Sequence, residues 1–169
     1  ISRAAKMEGD VSDRLRHAAR EFSASTDRAA GNGSLMRIAP IGISFLWDRD
    51  LTAEAAKDIA SLTHDDREVD ESCVLWAEAM RVAVVEGVLD IRVGLDLLLE
   101  DSRDKWAGLI DDADKGIVTP RTNGYTVSAL QCAWFAVTAT REYFGEAAVY
   151  DGLRRAVKMG GDTDTVAAI

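Results

Sequence analysis

The sequence has no apolar run long enough to span a bilayer, and its opening residues, Ile1-Ser2-Arg3-Ala4-Ala5-Lys6, lack the apolar stretch of a signal peptide. No membrane partner is expected. Basic residues are also short: 20 Lys and Arg stand against 29 Asp and Glu, for a net charge of −9. A protein that grips nucleic acid through its phosphates carries the opposite balance, so no nucleic-acid partner is expected. An anionic ligand must be held locally, by helix N-termini, a bound cation or a few basic groups. Cysteine is limited to Cys73 and Cys132. Both stand in helix-spaced apolar patterns and read as reduced core thiols, which points to a cytoplasmic protein. Missing as well are a Walker A loop, a G-x-S-x-G elbow, an H-E-x-x-H motif and paired C-x-x-C motifs.

What is present is an ordinary globular balance, 47% hydrophobic and 29% charged residues in a chain of 169. That length suits one domain with a single sizeable core, taken here as residues 1–169. Apolar residues recur at helical spacing along most of it, and strand patterns are scarce. The stretch from Val11 to Phe22 carries one such stripe, followed by a Ser/Ala/Gly/Asn-rich loop from Ser23 to Gly33. Thr52 is a suitable N-cap for a helix reaching Thr63. The clearest periodicity runs from Asp66 to Glu86, with Gly87 placed to end it. The pattern then predicts two short helices, Asp90 to Glu100 and Arg103 to Ile110, and a loop from Asp111 to Gly124. Two longer helices, Thr126 to Thr140 and Glu146 to Met159, close the pattern. The class predicted is all-α, with Trp76, Met80, Leu130, Trp134 and Val137 in one core. The first residue is Ile1, and Ile169 falls a few residues into what reads as a new helix, so a longer parent protein is expected.

Two stretches carry chemistry. In Gly160-Gly161-Asp162-Thr163-Asp164-Thr165 the glycines end a helix, and two carboxylates follow at i, i+2 with a hydroxyl beside them. If that segment is extended, both carboxylates point to one side and form a cluster of hard oxygen donors suited to Mg²⁺ or Mn²⁺. The same residues also read as a Gly-Gly helix end followed by an Asp cap of the next helix. An EF-hand fits poorly, because its turn glycine falls on Ala167. In Gly31-Asn32-Gly33-Ser34-Leu35-Met36-Arg37-Ile38-Ala39-Pro40 the paired glycines let the backbone approach a phosphate or ribose closely, or simply form a turn into a helix. His64 follows a helix and is either a helix-terminal residue or a ligand contact. His17 sits in a charged helix and reads as solvated. Tyr125, after Asn123-Gly124, either packs beside an Asn-Gly turn or presents its ring at a helix start.

In order, Gly-Asn-Gly-Ser-Leu-Met-Arg-Ile-Ala-Pro, Leu-Thr-His, Asn-Gly-Tyr and Gly-Gly-Asp-Thr-Asp-Thr-Val-Ala-Ala-Ile resemble the ADP-ribosylglycohydrolase family. That family includes the hydrolase that reactivates dinitrogenase reductase and the ADP-ribosyl-arginine and ADP-ribosyl-serine hydrolases. The resemblance implies an all-α orthogonal bundle, here without its N-terminal part, and two Mg²⁺ or Mn²⁺ ions. It implies that Asp162, Asp164 and Thr165 are metal ligands, and that Gly31, Asn32, Gly33 and Ser34 line an ADP-ribose site. By the same likeness His64 contacts substrate and Tyr125 lies near it. The implied partner is an ADP-ribosylated protein or an ADP-ribose-containing small molecule, and the implied reaction is hydrolysis of its glycosidic bond. A non-catalytic, ADP-ribose-binding or structural member of the same fold is the alternative. The family's Thr-Asp-Asp-Thr-type motif and its catalytic acidic residue have no counterpart, since Thr63-His64-Asp65-Asp66 belongs to the histidine motif. The chain is thus expected to carry about half of the metal site.

Overall fold

The computed structural model describes residues 13–22, 24, 30–140 and 145–169. Its α-helices are α1 (13–22), α2 (Ala39–Ser44), α3 (Arg49–Ser61), α4 (Arg67–Glu86), α5 (Glu100–Asp114), α6 (Thr126–Thr138), α7 (Glu146–Met159) and α8 (Thr163–Ala168). Short 3₁₀ turns occur at Leu35–Arg37, Ile91–Leu97 and Pro120–Thr122. No strand occurs among the described residues, where an antiparallel bridge between Gly31 and Tyr125 takes its place. The fold is all-α. No helix among the described residues is long and apolar enough to cross a membrane.

Two helices form the centre because they are buried on nearly every side. Val69, Cys73, Val74, Leu75, Trp76, Ala77, Ala79 and Val82 of α4 are buried, and so are Val127, Ala129, Leu130, Cys132, Ala133, Trp134 and Ala136 of α6. A helix apolar all round has no solvent face to offer and must lie inside. Asp66 starts α4 by accepting from the Glu68 backbone N–H at 2.8 Å, and Gly87 ends it in the left-handed region at φ 70°. Small residues let its neighbours close in. Ala53, Ala56 and Ala60 of α3 are buried. On α2, a Cβ at Gly42 would stand 2.5 Å from the Ala77 carbonyl oxygen.

Buried acids tie the outer elements to this centre. Glu78 on α4 takes Arg81 at 2.7 Å and Arg49 at 3.2 Å. Glu71 accepts from the Trp106 indole at 2.7 Å and from Arg67 at 2.8 Å. Removing the partners of Glu78 or Glu71 would strand a buried carboxylate, which is costly.

Several boundaries differ from the sequence expectation. The third helix starts at Arg49, not after Thr52, because Asp48 is extended and accepts the Leu51 N–H at 2.9 Å. Thr52 lies inside the helix, its hydroxyl bonded back to the Asp48 carbonyl at 2.9 Å. The two short helices expected over 90–110 are instead a 3₁₀ turn and a 15-residue α5 that absorbs Asp111 to Asp114. Ala113 continues the buried stripe of Trp106 and Ile110, and that burial outweighs the polar residues around it. Along α1 only Ala19 is buried, while Leu15 and Phe22 are exposed. Val11 and most of the loop before Ala30 lie outside the described residues. His17 is exposed beside Glu21.

Trp76, Leu130 and Trp134 are buried as expected, but Met80 and Val137 are only partly so. They line an apolar cavity of about 440 Å³ between α7 and the α4–α6 pair, together with Leu153, Val166 and Ile169. Cys73 and Cys132 are buried free thiols. Burial pushes Cys73 up to about 12 and Cys132 up to about 11, which makes both poor nucleophiles.

Candidate functional site

Two loops distant in sequence lie edge to edge. The Asn32 N–H donates to the Gly124 carbonyl at 3.1 Å, and the Thr126 N–H to the Ala30 carbonyl at 3.0 Å. This pairing carries the Asn32 side chain into a junction of three segments. Its Nδ2 donates to the Asn123 carbonyl at 2.8 Å and to Asp162 Oδ2 at 2.7 Å. Asn123, only 1% exposed, completes the junction. Its Oδ1 accepts the Asp162 N–H at 2.7 Å, and its Nδ2 donates to the Gly160 carbonyl at 3.0 Å. Asn32 and Asn123 are buried, so without these partners their side-chain amides would be stranded, which is costly.

Gly161 shows why this turn needs glycine. Its φ is +75°, and an added Cβ would stand 2.2 Å from the Pro120 carbonyl oxygen and 2.3 Å from Asn123 Oδ1. A side chain there is excluded both by backbone conformation and by contact.

The segment after it is not extended, contrary to the sequence expectation. Asp162 precedes α8 at φ −82° and ψ 73°, and Thr163, Asp164 and Thr165 are already helical. Asp162 and Asp164 are still brought together at one helix start. The Asn32 amide, with Thr165 and Asp164 as further hydrogen-bonding neighbours, holds the Asp162 carboxyl below the usual carboxylate range, against the effect of partial burial. Thr165 is buried, with its hydroxyl 3.9 Å from Met36 Sδ. The Asp162 carboxylate thus accepts from the Asn32 amide while Thr165, in the first turn of α8, lies within its reach.

A second group of contacts adjoins the first. His64 follows α3, with its N–H donated to the Ala60 carbonyl at 3.1 Å. Its Nδ1 lies 2.8 Å from Ser34 Oγ and 2.8 Å from Thr63 Oγ1. A Cβ on Gly31 would stand 3.2 Å from His64 Nε2, and one on Gly33 3.4 Å from Cε1, so the ring packs against that loop. Burial first, and then the Arg37 guanidinium, push the His64 pKa down, with Asp66 opposing. The ring is therefore neutral at pH 7. Arg37 itself holds the loop by donating to the Gly33 carbonyl at 3.1 Å, to Ser34 Oγ at 3.2 Å and to Thr63 Oγ1. Tyr125 occupies the position before α6 and donates its hydroxyl to Glu68.

Gly31, Asn32, Gly33, Ser34, His64, Tyr125 and Asp162 thus belong to one contiguous set of contacts, and Asp164 and Thr165 join it through Asp162. Asn123 and Thr63 belong to it too, although only the company of the Asn-Gly-Tyr and Leu-Thr-His segments pointed to them. None of these residues lines the 440 Å³ cavity, which meets the opposite side of α8 through Val166, Ala167 and Ile169.

The donors fit part of a hard-cation shell. Asp162, Asp164 and Thr165 offer oxygen only, which suits Mg²⁺ or Mn²⁺ and not zinc. Among the described residues no group of three or more His, Cys, Asp or Glu is placed to hold a metal. By donor chemistry the set could supply at most a portion of an octahedral shell.

Residues 3–169 match the family model described as ADP-ribosylglycohydrolase, and the chain belongs to that family. It is also similar to a protein of Archaeoglobus fulgidus described as uncharacterized, at 30% identity over 150 residues. The match covers 81% of this chain and 46% of that protein, so the chain spans about half the length of this curated relative. No solved structure matches.

Proposed function

We propose that this chain contributes the sugar-nucleotide loop and part of the metal site of an ADP-ribosyl-acceptor hydrolase. The reaction is hydrolysis of the N- or O-glycosidic bond linking ADP-ribose to a protein side chain or a small molecule. The observation that carries this reading is the 2.7 Å hydrogen bond from Asn32 to Asp162, which joins the family's two most specific motifs across 130 residues of chain.

Each group has a definable part. Asp162, Asp164 and Thr165 would hold Mg²⁺ or Mn²⁺, with Asn32 fixing which way the Asp162 carboxylate faces. When bound, the cation supplies Lewis-acid activation of water or of a ribose hydroxyl. The Gly31–Gly33 loop, with the His64 ring packed over both glycines, would border the ribose and phosphate oxygens. His64, neutral and held at Nδ1 by Ser34 and Thr63, keeps Nε2 as the ring nitrogen available to a sugar hydroxyl. Tyr125 borders the same loop. The two buried thiols suit a reducing compartment, the cytoplasm.

The test is release of ADP-ribose from modified arginine and modified serine peptides by a full-length protein carrying this chain, with and without Mn²⁺. Turnover should depend on the metal. It should fall at least ~100-fold in the Asp162→Ala, Asp164→Ala double variant, the upper range of what outer-shell changes alone cost. Full activity in that variant would remove the metal-site reading.

A further inference from the structure

Tyr125 is held at its backbone, where its N–H donates to the Thr122 carbonyl at 3.0 Å and its residue pairs with Gly31. Its phenol is partly exposed and would otherwise be free to turn. Instead its hydroxyl donates to Glu68 Oε2 in the first turn of α4. The other carboxylate oxygen, Oε1, accepts from Lys105 Nζ on α5. The Lys105 ammonium also lies 5.9 Å from the centre of the Trp106 ring, a cation–π contact that restrains it. One side chain from each of α4, α5 and the start of α6 thus forms a continuous latch.

A carboxylate in the first turn of a helix needs no special reason. The aim of this one does. Asp66 already caps α4, including the Glu68 N–H at 2.8 Å, so the Glu68 side chain is not occupied by its own helix. Both of its oxygens go to side chains of other elements. The His64 ring packs against Gly31 and Gly33, and the Tyr125 backbone pairs with Gly31, so both residues border the same loop.

We propose that Glu68 is a positioning residue of this site: paired with Lys105, it holds the side chain of Tyr125, the residue whose backbone pairs with Gly31, so that ADP-ribose meets a side chain already ordered. The proposal rests on the ADP-ribose reading above. A ring fixed before binding spares the ligand the entropy cost of ordering it.

The experiment has two arms, the first on the 169-residue chain and the second on a full-length protein carrying it. In the first, phenol ionisation is followed by ultraviolet absorbance. Tyr125 ionises well above the ordinary tyrosine range because burial and the Glu68 carboxylate disfavour its anion, and Glu68→Ala should bring it back toward that range. In the second, ADP-ribose binding is measured by calorimetry with Mn²⁺ present. Glu68→Ala and Tyr125→Phe should each weaken binding about tenfold, and the double variant should be no weaker than either, because both break the same latch. Glu68→Gln, which preserves shape and so folding, should weaken it about threefold. Binding by the wild type that both Glu68 variants leave unchanged would overturn the positioning role alone, and so would losses that multiply in the double variant. A wild-type full-length protein that takes up no ADP-ribose would overturn the functional reading and this role with it, while the phenol arm would still show whether the latch exists.

Discussion

The two sides of α8 are finished to different degrees. On its N-terminal side every named polar atom of the Asn32–Asn123–Asp162 junction has a protein partner, at 2.7 to 3.0 Å. On its other side Val166, Ala167 and Ile169 face a cavity of about 440 Å³ that α7 only partly closes. The contrast teaches where geometry is held tightly in this molecule. Hydrogen-bond networks with buried members tolerate little displacement, because each lost bond strands a partner. An apolar hollow forfeits dispersion contacts but leaves no polar group stranded.

The largest expected effect breaks the tight side. Gly161→Ala should cost about 2–4 kcal/mol, since a Cβ at positive φ would also collide with the Pro120 carbonyl. Urea denaturation measures it, and a loss under ~0.5 kcal/mol would mean that the turn is not pressed against Asn123. Next comes Asn123→Ala, which strands the Asp162 N–H and the Gly160 carbonyl. About 2–3 kcal/mol should be lost, and ADP-ribose binding should weaken with it.

A third variant compares two carboxylates. Asp162 has partners and is held low, whereas Asp70 has a buried Oδ1 with no hydrogen-bond partner, and burial pushes it up to about 6. An acid raised in the folded state adds stability below its unfolded value, near ~4, and that contribution is lost as pH rises through about 6. Asp70→Asn should therefore gain about 1 kcal/mol over wild type at pH 7.5, allowing for solvent screening of a half-exposed group, and nothing at pH 4. Denaturation at both pH values checks the sign. The smallest effect lies on the loose side. At Gly152, in the middle of α7, a Cβ would meet only Thr140 Oγ1, at 3.9 Å. Gly152→Ala should stabilise by about 0.5–1 kcal/mol and leave ADP-ribose binding unchanged.

The same contrast explains what could be read from sequence. The span of α4 was legible because Asp66 and Gly87 are local signals, decided within one turn. The start of α3 was not, because Asp48 and Thr52 are both competent caps and only the folded backbone chooses between them. The end of α5 was hidden because Asp111, Asp112 and Asp114 mask the buried Ala113. At the site, the glycines and carboxylates announced themselves by type and spacing. The conformation at Asp162 did not, and neither did Asn123, whose role is to join three segments. Glu68 looks like any exposed helix acid until the tertiary fold sets Tyr125 and Lys105 on either side of it.

The central claim is that the Asn32–Asp162 junction, and no other acidic patch, is where a divalent cation and ADP-ribose meet. Three donors from one segment would hold an ion weakly, so the direct measurement is one that reads weak binding: Mn²⁺ titrated into the 169-residue chain with ADP-ribose present, followed by paramagnetic broadening of backbone amide signals. The predicted result is early broadening at Asn32, Asn123 and Asp162 to Val166, with Val149 and Leu153 on α7 still sharp. Broadening that begins instead at Asp111 and Asp112 on α5, or at Asp65 and Asp66, with the Asn32 and Asp162 signals unaffected, would contradict it.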